Sequence, residues 1–337
     1  MSRKKSLLVL LVSMFSVGCL LGFTATVLQG APSTMSIADD DKVGGGENRA
    51  MVRFGEIISQ LSGGEIKAKN YTNFEMGDEK EIIEGIRIGT IHATNISTGT
   101  LANWVPETAL CNLPYVFLSE SHVQRCLNGA VGDFIAKRAE MKGFTIVGWY
   151  FQDFRNISAK KPIKTLNDAK GLRIRTMEVS GHQKAYSALG MNVIPMAFSE
   201  LYMALKQNII DACEPPLTFW WEKKFYEVTN HFSFTKVFYS PTAIIVGSKW
   251  FESLPPQQQI AVRFAAGESS NYYNKIRDED IAKYIKEAKA KGVQFHETDI
   301  DPFVKVCLPV QREFAEKLIG KEGPEILSVI EKLGKVK

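Results

Sequence analysis

Two arginines stand two positions apart in Gly171-Leu172-Arg173-Ile174-Arg175-Thr176-Met177, alternating with apolar residues. A period of two predicts a strand with both arginines on one face. A guanidinium with a fixed strand address is a candidate anion clamp. Its planar fork grips a carboxylate through two parallel hydrogen bonds, and it keeps its charge. The alternative is a pair of solvated arginines on an exposed face, where charged residues are commonest. No other group of side chains suggests chemistry as directly. The histidines at 92, 122, 182, 231 and 296 are scattered, without metal-ligand spacing. No Gly-x-Ser-x-Gly elbow occurs, and no nucleophile stands beside a base. Asp211 and Glu214 are near one another in sequence, but proximity alone does not make a working carboxylate pair.

The elements that must position these arginines alternate between two periods. Met35 to Ala38 reads as a strand, Asp39-Asp40-Asp41 and Gly44-Gly45-Gly46 as a loop, and Glu47 to Leu61 as a helix. Ile66 to Tyr71 and Ala93 to Ser97 read as strands, with a helix from Gly77 to Ile88 between them. Strands alternating with helices imply a parallel sheet. Leu61-Ser62-Gly63-Gly64-Glu65 has the letters of an ABC-type ATPase signature. No Gly-x-x-x-x-Gly-Lys-Ser/Thr loop accompanies it to cradle phosphates, so it predicts a helix end and a turn into a strand. Phe144 to Tyr150 is an apolar strand, and Phe151 to Ser158 leads across to the second half. There Gly181–Leu189 and Ser199–Lys206 read as helices, and Phe219-Trp220-Trp221 is either a pocket wall or a core cluster. Thr242 to Gly247 is a strand, Pro256 to Lys291 a long helix, and Val293 to His296 a last short strand before two closing helices.

Longer ordered stretches carry a family resemblance. They are Pro195-Met196-Ala197-Phe198-Ser199-Glu200-Leu201-Tyr202-Met203-Ala204-Leu205, Ile210-Asp211-Ala212-Cys213-Glu214-Pro215-Pro216 and Lys224-Phe225-Tyr226-Glu227-Val228. Earlier come Met76-Gly77-Asp78-Glu79-Lys80-Glu81, Leu101-Ala102-Asn103-Trp104-Val105-Pro106-Glu107 and Leu113-Pro114-Tyr115-Val116-Phe117-Leu118. Together they resemble the substrate-binding proteins of tripartite ATP-independent periplasmic (TRAP) transporters, the DctP-like family, over nearly the whole chain after the leader. The resemblance implies an α/β periplasmic-binding-protein fold of two lobes, with a ligand cleft between them and a long helix spanning both. It divides the chain into a first lobe of 34–152 plus 241–270, a second of 153–240 plus 271–300, and C-terminal helices over 301–337. It also implies capture of a small organic carboxylate, a C4-dicarboxylate or a sugar acid, for delivery to the small and large membrane subunits of an ion-gradient-driven transporter. Such a protein is not an enzyme and needs no cofactor, metal or ATPase subunit.

By resemblance, Arg175 is the main carboxylate clamp and Arg155 its support. Phe198 places an aromatic ring in the pocket, or else packs in a core, where phenylalanine is commonly buried. Ser97 and Thr98 lie at a strand end facing the cleft, where open α/β sheets bind ligands, although two hydroxyls there can equally bond a local turn. Glu214 matches the family's glutamate, and Tyr239 lies on the strand returning to the first lobe. Two positions depart from the pattern. Ala159 and Pro215 stand where the family usually has asparagine, and proline offers neither a side-chain donor nor a backbone N–H. The expectation is a different ligand, or a carboxylate held by arginines and hydroxyls alone. A secreted enzyme of unknown chemistry and a sensory receptor module are the rival readings.

The N-terminus carries Arg3, Lys4 and Lys5 ahead of an apolar run from Leu7 to Phe23, the pattern of an export leader ending near Ala31. Cleavage, retention as an anchor and acylation at Cys19 are three readings of this leader; export to the periplasm is common to all. Of the formal net charge of +4 the leader supplies three, so the remainder is nearly neutral and nucleic acid is not indicated. Cys111, Cys126, Cys213 and Cys307 have no metal spacing, and their pairing cannot be read from sequence.

Overall fold

The computed structural model describes residues 33–336; the leader, with Cys19, lies outside the described residues. Nine strands in this span form one mixed sheet: β1 Ser33–Ala38, β2 Ile66–Tyr71, β3 Ala93–Ser97, β4 Phe144–Ala159, β5 Arg173–Thr176, β6 Asn192–Pro195, β7 Ala212–Cys213, β8 His231–Gly247 and β9 Gln294–Glu297. Their order is β2-β1-β3-β8-β4-β7-β5-β6, with β9 also paired to β8.

The two crossing strands, β4 and β8, make this one sheet serve two lobes. They hold 16 and 17 residues. At about 3.3 Å per residue each is roughly 50 Å long, about three times an ordinary strand. They pair antiparallel from Phe144↔Gly247 to Ala159↔His231. Toward one end β8 also pairs with β3, through Ala93↔Val246 to Ser97↔Thr242; toward the other, β4 pairs with β7 through Ser158↔Cys213. Register shifts fall between Phe151 and Phe154 and between Arg155 and Ile157, at the passage from lobe to lobe. Extra residues there bend the ribbon and re-aim side chains such as Gln152 and Arg155. The sequence predicts a strand and then a crossover at this point; the structure makes them one continuous strand.

Helices cover both faces of the sheet, so its central strands are apolar on both sides. In the first lobe Ala243 and Ile245 of β8 join a core with Ile82, Leu101 and Phe144, while Ile244 and Val246 join Met35, Phe54 and Val262 on the opposite face. The second lobe has its own pair of cores, one around Ile174, Tyr186 and Phe238, the other around Trp220, Phe225 and Phe232. Helix Gly46–Leu61 ends at Ser62, with Gly63 and Gly64 at φ 62° and 84° turning the chain into β2. Left-handed φ suits glycine, so the signature-like letters encode a helix stop.

The helix Pro256–Ala290 has 35 residues, about 50 Å of rod. Val262, Ala265 and Tyr273 pack into the first-lobe core, Tyr284 and Ala288 into the second. Of the two final helices, Asp301–Ile319 also touches both lobes, Phe303 and Cys307 entering a second-lobe core and Phe314 a first-lobe core, while Glu322–Gly334 adds Leu327 and Ile330 to the first-lobe core. Cys111, Cys126, Cys213 and Cys307 are all buried free thiols. No helix among the described residues is long and apolar enough to cross a membrane.

Candidate ligand-binding site

β5 delivers the two arginines to very different places. Arg173, at its start, is 42 % exposed and paired with Asp211, its Nη2 donating at 2.7 Å. Arg175, two residues on and on the same face, is 4 % exposed at the strand's cleft end. Its Nε and Nη2 both donate to the Met196 carbonyl, at 3.0 and 2.8 Å. Its guanidinium lies 5.6 Å from the Phe198 ring centre. Arg155, aimed inward by β4, grips Glu214 through Nε and through Nη2 at 3.1 Å. Arg175 Nη1 is 3.9 Å from the same carboxylate.

Glu214 is thus shared by two buried guanidiniums. Burial alone would raise its pKa; Arg155 and His182 outweigh burial and hold it down to about 2. Arg175 has the weaker claim on that charge, and burial pushes its pKa down to about 10, with Arg155 adding to the fall. The fourth member is His182, stacked on Phe238 at 3.9 Å and hydrogen-bonded through Nε2 to Asn112 Oδ1 at 3.1 Å. Its Nδ1, 3.8 Å from Glu214, makes no hydrogen bond, and burial lowers its pKa. With His182 neutral, the group of two arginines and one glutamate carries a single surplus positive charge.

The opposite wall is acidic. Glu79 accepts from the Ser97 amide at 2.8 Å, from the Ser97 hydroxyl at 2.9 Å and from Thr100. Glu47, in the first turn of its helix, accepts from Gln152, Asn95 and the Thr242 hydroxyl. Asp40 faces the same space, with the charge of Lys223 opposing the rise in its pKa. Burial comes first in raising the pKa of all three, and the neighbouring acids add to the rise for Asp40 and Glu47. Met177, Phe198 and Phe219 supply apolar lining between the walls. Across the mouth the lobes touch directly. Lys80 pairs with Glu178, Ser199 hydrogen-bonds to Asp78, and Lys223 donates to the Asp40 carbonyl at 2.8 Å.

Of the residues singled out in sequence, Arg155, Arg175, Ser97 and Phe198 line this cleft. The others do not. Thr98 turns back to the Pro241 carbonyl, and Tyr239 donates to the Gln152 carbonyl. Glu214 lies behind the arginines, and the Pro215 carbonyl accepts from the Asn156 amide. Asp40 stands in the Asp39-Asp40-Asp41 loop and Glu79 in Met76–Glu81, but nothing in either local pattern, or around Glu47, marks a cleft acid. His182 and Asn112 gave no local signal. Of the aromatic cluster, Phe219 lines the cleft while Trp220 is a fully buried core residue.

Residues 45–318 match the model of the bacterial extracellular solute-binding proteins, family 7, the DctP family. This chain belongs to that family of TRAP-transporter solute-binding proteins. Like this TRAP binding protein, a solute-binding protein of Verminephrobacter eiseniae is built on the pattern, with 33% identity over 88% of each chain. The 2,3-diketo-L-gulonate-binding periplasmic protein YiaO of Escherichia coli is 33% identical over 75% of this chain and 77% of its own. A TRAP periplasmic solute-binding protein of Polaromonas, solved bound to D-erythronate, superposes with a TM-score of 0.86 at 29% identity, covering 90% of this chain and all of that one. The family's members are extracellular solute-binding proteins.

Acids buried beside the cleft give the TRAP binding protein a pH-dependent stability. Asp39, hydrogen-bonded to Thr72 and Asn48, has its pKa raised by burial, and further by Asp41, from 3.8 to about 7. Between those values the folded state keeps a proton that the unfolded chain has lost. Stability therefore falls as pH rises through that window. Glu222, raised by burial and by Asp41 to about 8, acts in the same direction. The melting temperature at pH 5 should exceed that at pH 8 by roughly 10 °C. Asp39→Asn should flatten the dependence. A wild-type melting temperature that rises from pH 5 to pH 8 contradicts this assignment.

Proposed function

We propose that this protein captures a sugar acid, a polyhydroxylated monocarboxylate, in the periplasm and hands it to the membrane subunits of a TRAP transporter without altering it. The observation that carries this reading is the opposition of charge across the cleft. One surplus positive charge on the arginine side matches one carboxylate. Nη1 of Arg155 and of Arg175 is free of protein hydrogen bonds among the described residues and is available to an anion. On the other side Asp40, Glu47 and Glu79 are acceptors suited to sugar hydroxyls, which donate readily. A dicarboxylate would add a further negative charge beside acids whose pKa values burial already raises, where negative charge is disfavoured. Neither Pro215 nor Ala159, the latter buried in a second-lobe core, offers the cleft a donor, so the carboxylate depends on the arginines. An exported chain fits this role, whether the leader is cleaved, retained or acylated.

Closure follows from the two walls standing on different lobes. A ligand touching both favours the closed arrangement by what it gains there beyond the open one. Shifting the population from 1:99 to 99:1 takes a ~10⁴-fold difference in affinity. The test is calorimetry and thermal shift with D-erythronate, D-glucuronate and succinate on the full chain. The sugar acids should bind at least about tenfold more tightly than succinate, and Asp40→Asn should narrow that gap. Tighter binding of succinate to the wild type overturns the sugar-acid reading. Recovery of a chemically changed ligand, detected by mass spectrometry, overturns transport binding itself.

A further inference from the structure

A second cavity lies away from the cleft, between the helix Glu120–Leu127, the long helix Pro256–Ala290 and β4. Its volume is about 360 Å³, within the range of about 300–1,000 Å³ usual for small-molecule sites. It shares no lining residue with the cleft. Phe151 lines the second cavity and Gln152, next in sequence, lines the cleft, as the alternation of side chains along a strand requires. All three walls pack into first-lobe cores, so a ligand here needs no closure of one lobe on the other.

Two helices meet across this cavity with polar stripes. Gly267, Ser270, Asn271 and Asn274 recur at helical spacing on the long helix, and Gln124 and Asn128 stand one turn apart on the other wall. Val147, Trp149 and Phe151 of β4 make the floor. Part of the lining is already held in place. Gln124 Nε2 donates to Glu120 Oε1 at 2.9 Å, and Glu120 Oε2 accepts from the buried Arg277 at 2.8 Å. The Ser270 hydroxyl donates to the Trp149 carbonyl. One polar atom is left over. Asn274 Oδ1 is buried and has no hydrogen-bond partner among the described residues. A buried acceptor without a donor is costly, and a hydroxyl entering the cavity satisfies it.

We propose that this cavity is a second binding site, for a neutral monosaccharide or a sugar alcohol of similar size. The chemistry of the lining selects that class. Amide and hydroxyl side chains offer donors and acceptors together, and so does each sugar hydroxyl in return. The apolar floor suits the C–H face of a sugar ring. No acid lines the cavity, and its one cation, Arg263, is exposed at the rim with its guanidinium 4.9 Å from the Phe251 ring centre. A carboxylate placed inside would meet the Asn274 acceptor and no buried guanidinium, the reverse of what the cleft provides. The two sites therefore sort solutes by charge, acids to the cleft and neutral polyols to the second cavity.

Gly267 supplies the deciding variant. It lies within the long helix, and a side chain begun there meets nothing within 4 Å. Gly267→Leu therefore blocks the cavity without a clash, and replacing a mid-helix glycine favours the helix. Binding of D-glucose, D-galactose and D-mannitol to the full chain is followed by saturation-transfer NMR and calorimetry, with and without excess D-erythronate. At least one of the three should bind at a single site, with the same affinity in both conditions. Gly267→Leu and Asn274→Leu should each lose roughly tenfold or more of that affinity. D-Erythronate binding should stay unchanged in both variants. No binding of any of the three at tens of millimolar overturns the proposal. So does unchanged affinity in Gly267→Leu, which would place the sugar elsewhere, or displacement by D-erythronate, which would place it in the cleft. Should a variant fold poorly, the Asn271 and Asn274 side-chain amide resonances of the wild type decide alone, and resonances unmoved by the sugar overturn the site.

Discussion

Arg175→Ala is expected to weaken sugar-acid binding by roughly two to three orders of magnitude. Arg175 is buried, held at two points by the Met196 carbonyl and backed by the Phe198 ring. Burial has already pushed its pKa down to about 10, so its charge is under-compensated before any ligand arrives. An incoming carboxylate supplies that compensation. Removing the guanidinium leaves the anion in a dry cleft short of a partner, a loss of about 3–5 kcal/mol for a broken buried pair. Arg175→Lys should restore little. One ammonium cannot hold the Met196 carbonyl and still offer the ligand a second, fixed donor. Arg173→Ala is the internal control. It removes an arginine from the same strand and face, but an exposed one whose pair with Asp211 is worth at most about 1 kcal/mol. Calorimetry on the three variants separates the cases. Near-native affinity in Arg175→Ala would take this residue out of the site and the clamp with it.

That contrast between Arg173 and Arg175 also marks how far the sequence carries. Their period of two correctly predicts a strand with both on one face. It is silent on β5 being four residues long, entering from solvent and ending in the cleft, and that depth decides which arginine is buried. The same holds for Asp211 and Glu214. They bracket the two-residue β7 and serve different arginines, Arg173 outside and Arg155 within, so nearness in sequence told nothing of partnership. The acidic wall is harder still to read. Asp40 follows β1, Glu47 begins a helix and Glu79 begins another, and parallel pairing of β1 with β2 and β3 brings them together. A site assembled by topology leaves no local spacing. Family resemblance could point to Arg155, but not to Gln152 beside it, which is aimed inward by a register shift that no pattern of apolar residues encodes. Long, strongly patterned elements were legible for the opposite reason. The helix Pro256–Ala290 and the strands flanking Tyr150 and Ile244 are fixed by local periodicity and by burial on both faces.

Glu214→Gln should show the largest effect on stability, because three groups depend on one carboxylate. Fully buried, Glu214 takes two hydrogen bonds from Arg155, lies near Arg175 and faces the unpartnered Nδ1 of His182. The amide keeps the shape and removes the charge, leaving two guanidiniums side by side in a dry interior. Breaking such an arrangement by removing one partner costs about 3–5 kcal/mol. At about 2–4 °C per kcal/mol, the melting temperature should fall by roughly 10 °C. The pH dependence carries a sign. Glu214 has its pKa depressed from 4.5 to about 2, so its contribution is fully present above the unfolded value and is lost as pH falls through about 2. Wild type and variant should therefore differ most at neutral pH and converge in strong acid. The ligand response should change as well. Two surplus positive charges in place of one invite a second anionic group, so succinate should stabilise Glu214→Gln more than it stabilises the wild type. A variant that melts within 2 °C of wild type, with succinate no better bound, would mean that Arg155 and Arg175 are neutralised by something other than Glu214. The charge count behind monocarboxylate recognition would then have to be drawn afresh.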